Sequence, residues 1–278
     1  MPDIRYLVPR VIRHFMPDKA VRALLLRSII IRPGLETNNP DQAVEVYTRT
    51  LNAAGYDLKG KRVLLFGYGG RFAVGCALLR AGASQVVLCE KAAPPDHAFN
   101  RRLLPQNAAY LYEENGEVLP RAGLLDLMQG DIREMAGRIK PVDVVLSTSV
   151  YEHLDDVDGI TAALAALTAA DGVQLHFVDL RDHFFKYPFE MLCYDKNTWL
   201  NWLNPTSHHN RFRLWDYRRV FERYFQQVDI KINQSDAPAF NRVRSRIRPE
   251  FISGDEIQDP ATLIQVLTAA PVNSSKER

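Results

Sequence analysis

A chain of 278 residues, 46% hydrophobic and 24% charged, can bury a sizeable core and is not an intrinsically disordered segment. The net charge of +2 singles out no partner, and the length suggests one core with appendages rather than two equal domains. Three cysteines, Cys76, Cys89 and Cys193, are odd in number and lack Cys-x-x-Cys spacing. They read as small buried hydrophobes in a reducing cytoplasm rather than as a disulfide frame or a zinc site.

The chain opens on a basic stretch. Through residue 32 it carries Arg5, Arg10, Arg13, Lys19, Arg22, Arg27 and Arg32 against Asp3 and Asp18. Leu7, Val11, Ile12 and Phe15 share one helical face, with Arg10 and His14 turned away. Such a helix either lies on an anionic membrane or packs over the main domain with a solvated basic face, and the second reading is preferred. Peripheral membrane contact stays open. No apolar run approaches 18 residues and no secretory cleavage pattern is present, so no integral membrane segment is expected. Pro33-Gly34 and Asn38-Asn39-Pro40 mark a loop, and a helix over about 41–54 follows. Residues 1–58 form an N-terminal helical cap, and 59–271 form the main domain.

The main domain begins with a short apolar run, Val63 to Phe66, that empties into Gly67-Tyr68-Gly69-Gly70-Arg71. A helical pattern leads to a second apolar run, Val86 to Cys89, which ends on Glu90. Buried strand, tight turn, helix, buried strand and acid is the βαβ plan of a nucleotide-type site. Glycine removes side chains where backbone must approach a ligand, and a carboxylate can accept from both hydroxyls of a ribose. The dinucleotide fingerprint needs a third glycine at its sixth place, and counting from Gly67 that place is Phe72. A nicotinamide-dependent oxidoreductase is therefore the weaker alternative.

Leu124 to Met128 is a plausible third strand, running into Gly130-Asp131-Ile132. Pro141 to Thr148 is a fourth, followed by Tyr151-Glu152-His153-Leu154. The order of glycine turn, acid, Gly-Asp, Asp-x-Val-x-Ser and Glu-His resembles the class I S-adenosylmethionine-dependent methyltransferases, over roughly residues 60–180 and in outline beyond. The resemblance implies an α/β fold with a doubly wound, mostly parallel seven-stranded sheet, and S-adenosyl-L-methionine as cofactor. It places Gly67 and Gly69 against the methionine moiety, Glu90 at the ribose, and Asp131 with Ile132 around the adenine. Tyr68 and Ser147 complete the implied cofactor set. Two positions depart from the family: Leu65 stands where an acid is usual, and Arg71 where glycine is frequent. A non-catalytic binding protein on the same fold is the alternative those departures leave open.

A helical stripe of Ile160, Leu164 and Leu167 ends at Asp171-Gly172, and Val173 to Asp179 reads as a fifth strand. Gln226–Ile232 and Leu263–Leu267 supply two more strands, and residues 272–278 form a polar tail. Between strand five and a helix near 216–225 lies an insertion, residues 181–214. It is rich in rings: Phe184, Phe185, Tyr187, Phe189, Tyr194, Trp199, Trp202 and Phe212. Ligands of an α/β sheet sit beyond the carboxyl ends of its strands, where this insertion emerges, so it is expected to act as an apolar lid. Tyr194, Trp199, Asn210 and Arg211 are its candidate contacts to a small-molecule acceptor. The alternative for Arg211 is a lid anchor. Scattered cations argue against a nucleic-acid platform.

Methyl transfer is a direct displacement, so the protein mainly aligns nucleophile, methyl carbon and sulfur. A hydroxyl acceptor also needs a base, for which histidine suits neutral pH. His183, beside Asp182, is the first candidate and His153 the second, with His208 and His209 as lid residues. No metal-ligand spacing stands out. The acceptor is expected to be a secondary metabolite, sugar or lipid-linked molecule, methylated on oxygen or nitrogen.

Overall fold

The computed structural model describes residues 3–16, 36, 39–135, 137–183, 186–204 and 209–272. Phe184, Phe185, His208, the basic residues between Asp18 and Arg32, the Pro33-Gly34 loop and the tail beyond Val272 lie outside the described residues.

The seven expected strands assemble into one sheet. They are β1 (Arg62–Phe66), β2 (Gln85–Glu90), β5 (Leu125–Gln129), β6 (Val142–Thr148), β7 (Thr168–Asp179), β8 (Phe225–Ser235) and β9 (Ala261–Pro271). The spatial order is β5-β2-β1-β6-β7-β9-β8. The first five strands run parallel, β9 runs antiparallel to both neighbours, and β8 is the edge. Val63, Leu64, Val86, Val87, Val144 and Val145 are all buried, as a strand covered on both faces requires. β8 instead alternates between part-buried and exposed residues, as an edge strand with one wet face does.

Each face carries its own core. On one face α2 (Pro40–Ala53) and α3 (Ala73–Arg80) cover Val63, Leu65, Leu88 and Leu146. On the other, α4 (Val157–Leu167) and α5 (Leu214–Tyr224) cover Leu64, Phe66, Val145 and Val266. The α2 N-terminus is set by Asn39, whose side chain accepts from Gln42 N at 3.1 Å, with Pro40 at the first helical position.

Three elements differ from expectation. A hairpin, β3 (Leu111–Glu114) and β4 (Glu117–Pro120), turns on Asn115-Gly116, both with positive φ, the two-residue turn that matches strand twist. Strand β7 starts at Thr168, where a helix was expected to continue to Asp171: the Thr168 backbone is already extended, and it pairs with Val142. The third concerns α1 (Ile4–His14), which packs on the insertion with the reverse of the expected face. Tyr6 and Arg10 are buried, and of the expected face only Leu7 packs against the insertion core, whereas Val11, Ile12 and Phe15 are exposed. The reason is electrostatic. Arg10 pairs with Asp182 and donates to Leu203 O at 2.5 Å, and Tyr6 Oη donates to Asp182 Oδ2 at 2.5 Å. Polar groups with buried partners decide the face here, not the apolar stripe.

The insertion forms a small core from Phe189, Met191, Leu192, Trp199 and Leu203, closed by Phe240 of the helix Ala237–Val243. Arg213 staples it to the sheet. Its guanidinium, fully buried at the start of α5, donates to Leu180 O, Asp259 O and Ala261 O at 2.8–3.3 Å.

Candidate active site

The glycine turn at the end of β1 is shaped for close approach. Gly67, Gly69 and Gly70 all have φ between 64° and 80°. A Cβ on Gly67 would run into the Val150 side chain, and one on Gly70 into Pro94 O; beside Gly69 the space is open. Asn100, wholly buried, holds the turn from below by donating to Gly70 O at 3.0 Å and accepting from Phe72 N at 2.9 Å. Its role left no trace in the sequence pattern.

Glu90, at the end of β2, reaches back to the same turn. Its Oε2 accepts from Gly69 N at 3.1 Å and its Oε1 from Ala92 N at 3.0 Å. A carboxylate held by backbone donors keeps lone pairs for a ligand in a fixed direction. Asp131, beyond β5, is tied to Arg133 through Nε at 2.9 Å and Nη2 at 2.5 Å, and Lys91 Nζ lies 3.0 Å away. Hydrogen bonds from Arg133 hold its carboxyl well below the usual range. Arg133 also donates to Asp156 Oδ2 at 2.6 Å, so it bridges two loops at the carboxyl edge of the sheet.

Gly67, Glu90, Asp131 and Ile132 face a single cavity of about 770 Å³, and His153 and His183 line it with them. Phe66, Val150, Leu154 and Ile160 supply its apolar wall. Parallel pairing of β6 with β7 explains why the two histidines meet: Ser147 lies opposite His176 and Thr148 opposite Phe177, so the segments leaving both strands start side by side. The His153 and His183 ring centroids are 4.7 Å apart, and His209 lies 6.0 and 5.6 Å from them. Burial lowers the His183 pKa, against the raising influence of Asp179 and Asp182. His209 is lowered further, again chiefly by burial. Its Nδ1 accepts from Arg211 N at 3.2 Å, which leaves the ring proton on the buried Nε2, and the Arg181 backbone is a further polar neighbour of the ring.

The remaining expected site residues lie elsewhere. Tyr68 is buried in the opposite core, its ring 6.1 Å from Phe72. Ser147 is buried and its hydroxyl meets His176 Nδ1 at 2.8 Å. Trp199 is buried in the insertion core and donates to His209 O at 3.1 Å. Tyr194 stacks on Tyr6 at 5.9 Å. Arg211 has a positive φ of 62° and donates to Met191 O at 3.2 Å and Tyr194 O at 2.6 Å, the arrangement of a lid anchor. None of these five lines the cavity, and neither does Gly69. Asn210 works from behind it: Nδ2 donates to Tyr151 O at 2.7 Å and Leu154 O at 3.1 Å, pinning the turn that carries Glu152 and His153.

Glu152 stands in the sequence only as part of the Glu-His motif, with nothing in its neighbourhood to mark it further. It is fully buried, and neither oxygen has a hydrogen bond of normal geometry; the Asp179 backbone and the Ser149 side chain are nearby polar neighbours. Burial pushes its pKa up to about 8.

Among solved structures, phosphoethanolamine N-methyltransferase 2 of Haemonchus contortus, bound to phosphomonomethylethanolamine and S-adenosylhomocysteine, superposes with a TM-score of 0.51 at 12% identity. The match covers 84% of this chain and 53% of that protein, so this chain spans about half its length. A geranyl diphosphate methyltransferase in complex with S-adenosylmethionine gives a TM-score of 0.51 at 11% identity, over 83% of this chain and 85% of that one. No protein-family model matches the chain, and no curated protein matches it. Strand order, glycine turn and superposition agree: this chain has the fold of the class I S-adenosylmethionine-dependent methyltransferases.

Proposed function

We propose that this chain is an S-adenosylmethionine-dependent methyltransferase that transfers a methyl group to an oxygen or nitrogen of a small-molecule acceptor. The observation that carries the reading is the shared cavity. Gly67, Glu90, Asp131 and Ile132 line the same space as His153 and His183. Its size, about 770 Å³, is in the range that takes a drug-sized ligand. In this reading Glu90 accepts from the ribose hydroxyls, Ile132 and Asp131 meet the adenine, and Gly69 leaves room for the methionine arm. The histidines then face the transferred methyl group. The acceptor's lone pair forms the new bond to the methyl carbon, the sulfur–methyl bond breaks with its electron pair returning to sulfur, and adenosylhomocysteine leaves. An apolar wall of Phe66, Val150 and Ile160 suits an organic acceptor better than a nucleic-acid strand. Both superposed enzymes are named for small-molecule acceptors.

Crystals grown with adenosylhomocysteine test the reading. The expected result is the ribose at Glu90 and the adenine edge beside Ile132, with the sulfur toward the histidines. A nucleoside bound elsewhere, with Glu90 untouched, would overturn it.

A further inference from the structure

Three acids gather where β7 leaves the sheet, and two of them are matched to cations. Asp179 is gripped by Arg181 through Nε at 2.9 Å and Nη2 at 2.7 Å. Asp182 is paired with Arg10 and accepts from Tyr6. Glu152 is the third, fully buried, with the Asp179 backbone, the Ser149 side chain and the charge of Arg181 as its polar neighbours. A carboxyl in that position keeps its proton until a cation takes the proton's place. Beside it stand two imidazoles on the cavity wall. One ligand atom from each of Glu152, His153 and His183 can be chosen so that all three lie within 4.8 Å of one another.

From this cluster we propose that Glu152, His153 and His183 form a divalent transition-metal site that opens onto the cavity. The donor set decides the class of ion. Two imidazoles and one carboxylate suit zinc, cobalt, manganese or iron(II), whereas magnesium and calcium prefer oxygen donors throughout. Tetrahedral ligand atoms at about 2.0–2.2 Å from a common centre lie roughly 3.3–3.6 Å apart, so the longest separation in the cluster, within 4.8 Å, contracts by about 1.5 Å at most. Rotation of the side chains supplies that movement. Three protein ligands leave positions open toward the cavity, the pattern of a catalytic rather than a closed structural site. The supports are in place. Asn210 pins the turn that holds two of the ligands, and the buried ring of His209 packs close to both ligand rings.

The role of the ion rests on the methyltransferase reading, although its binding does not. An acceptor hydroxyl bound at the open position loses its proton to solvent more readily, because the cation stabilises the alkoxide. The oxygen lone pair then attacks the methyl carbon as the sulfur–methyl bond breaks. The ligands come from two strand ends 30 residues apart in sequence, so no local spacing announces the site.

The test is a titration of chelator-stripped protein with Zn²⁺, Mn²⁺ and Co²⁺ in a calorimeter, with the Co²⁺ absorption bands followed in parallel. One equivalent of at least one ion is expected, with Co²⁺ giving bands of a low-symmetry site with nitrogen ligands. Affinity should fall by at least about tenfold in His183→Ala and in Glu152→Gln. Circular dichroism and thermal melts of the same variants report whether they fold, and adenosylhomocysteine titration without metal tests the cofactor reading separately. Absence of stoichiometric binding of all three ions to the wild-type protein would overturn the proposal. So would wild-type metal affinity in both variants, which would place the ion elsewhere. Should a variant fail to fold, the wild-type Co²⁺ spectrum decides: bands without imidazole ligation also overturn it.

Discussion

Replacing Glu90 with glutamine separates the two roles that its geometry gives it. The carboxylate is half-exposed and accepts from Gly69 N and Ala92 N, at 3.1 and 3.0 Å, before any ligand arrives. Glutamine keeps the length and one acceptor oxygen but turns an amide NH₂ toward a backbone donor. Both amides lie at the surface, where water can take over, so the stability loss should be about 1 kcal/mol. That corresponds to a Tm lower by about 2–4 °C for a domain of this size. Ligand binding should suffer more. Two ribose hydroxyls donating to a charged acceptor are worth about 1.5 kcal/mol each at the lower end of the charged range. Glutamine keeps one acceptor, so one of the two bonds is lost and the other weakened, about 1.5–2 kcal/mol in all, or roughly ten- to thirtyfold in Kd. Thermal melts and calorimetric titration with adenosylmethionine and adenosylhomocysteine measure the two effects on one preparation. A folded Glu90→Gln protein with unchanged affinity for both ligands would refute the ribose assignment. A melt lowered by 10 °C or more would show instead that Glu90 is chiefly a clamp for the glycine turn.

Other expectations follow from the same geometry. With an acceptor in hand, His183→Ala should lower turnover by roughly 10²–10⁴ while adenosylhomocysteine affinity stays within a factor of two to three; full activity would remove His183 from the chemistry. Arg10→Met leaves the Asp182 carboxylate buried without its cation, a change that typically costs about 3–5 kcal/mol. Since α1 is an appendage, it should undock rather than unfold the sheet, with amide exchange rising across Ile4–His14 alone; unchanged protection there would contradict the ion-pair account. His176 is wholly buried between Tyr151 and Phe221, and burial lowers its pKa to about 3. The unfolded chain takes up that proton near pH 6.5, so stability is complete above that pH and falls by about 1.4 kcal/mol per unit as pH drops toward 4. His176→Gln should flatten this slope in denaturant titrations between pH 4 and 6.5; an identical slope would mean that His176 is not the group responsible.

Legibility in the sequence followed the type of force involved. Strands β1, β2, β6 and β7 are buried on both faces, and their continuous apolar runs stood out from the chain. The glycine turn and Glu90 were readable because positive φ and a strand-ending acid leave marks in residue type. The hairpin at Leu111–Pro120 was overlooked although Asn115-Gly116 is a strong turn signal, because its flanking strands carry glutamates and look like loop. α1 was read with the wrong face inward because amphipathicity ignores what a partner offers, and Asp182 offers a carboxylate to Arg10. Composition marked the insertion as rich in rings, but not which way Trp199 and Arg211 point, and both turn into its own core. Glu152 and His183 meet only through the register of β6 on β7, a relation that no window of sequence contains.

The central claim is that the cavity at the carboxyl edge of the sheet holds S-adenosylmethionine. Calorimetric titration of the wild-type chain with adenosylmethionine, adenosylhomocysteine and NAD⁺ tests it most directly. The account predicts one site per chain for both adenosyl ligands, mutual competition between them, and no heat from NAD⁺. Binding of NAD⁺ in preference to both, or no binding of either adenosyl ligand to the folded protein, would contradict it.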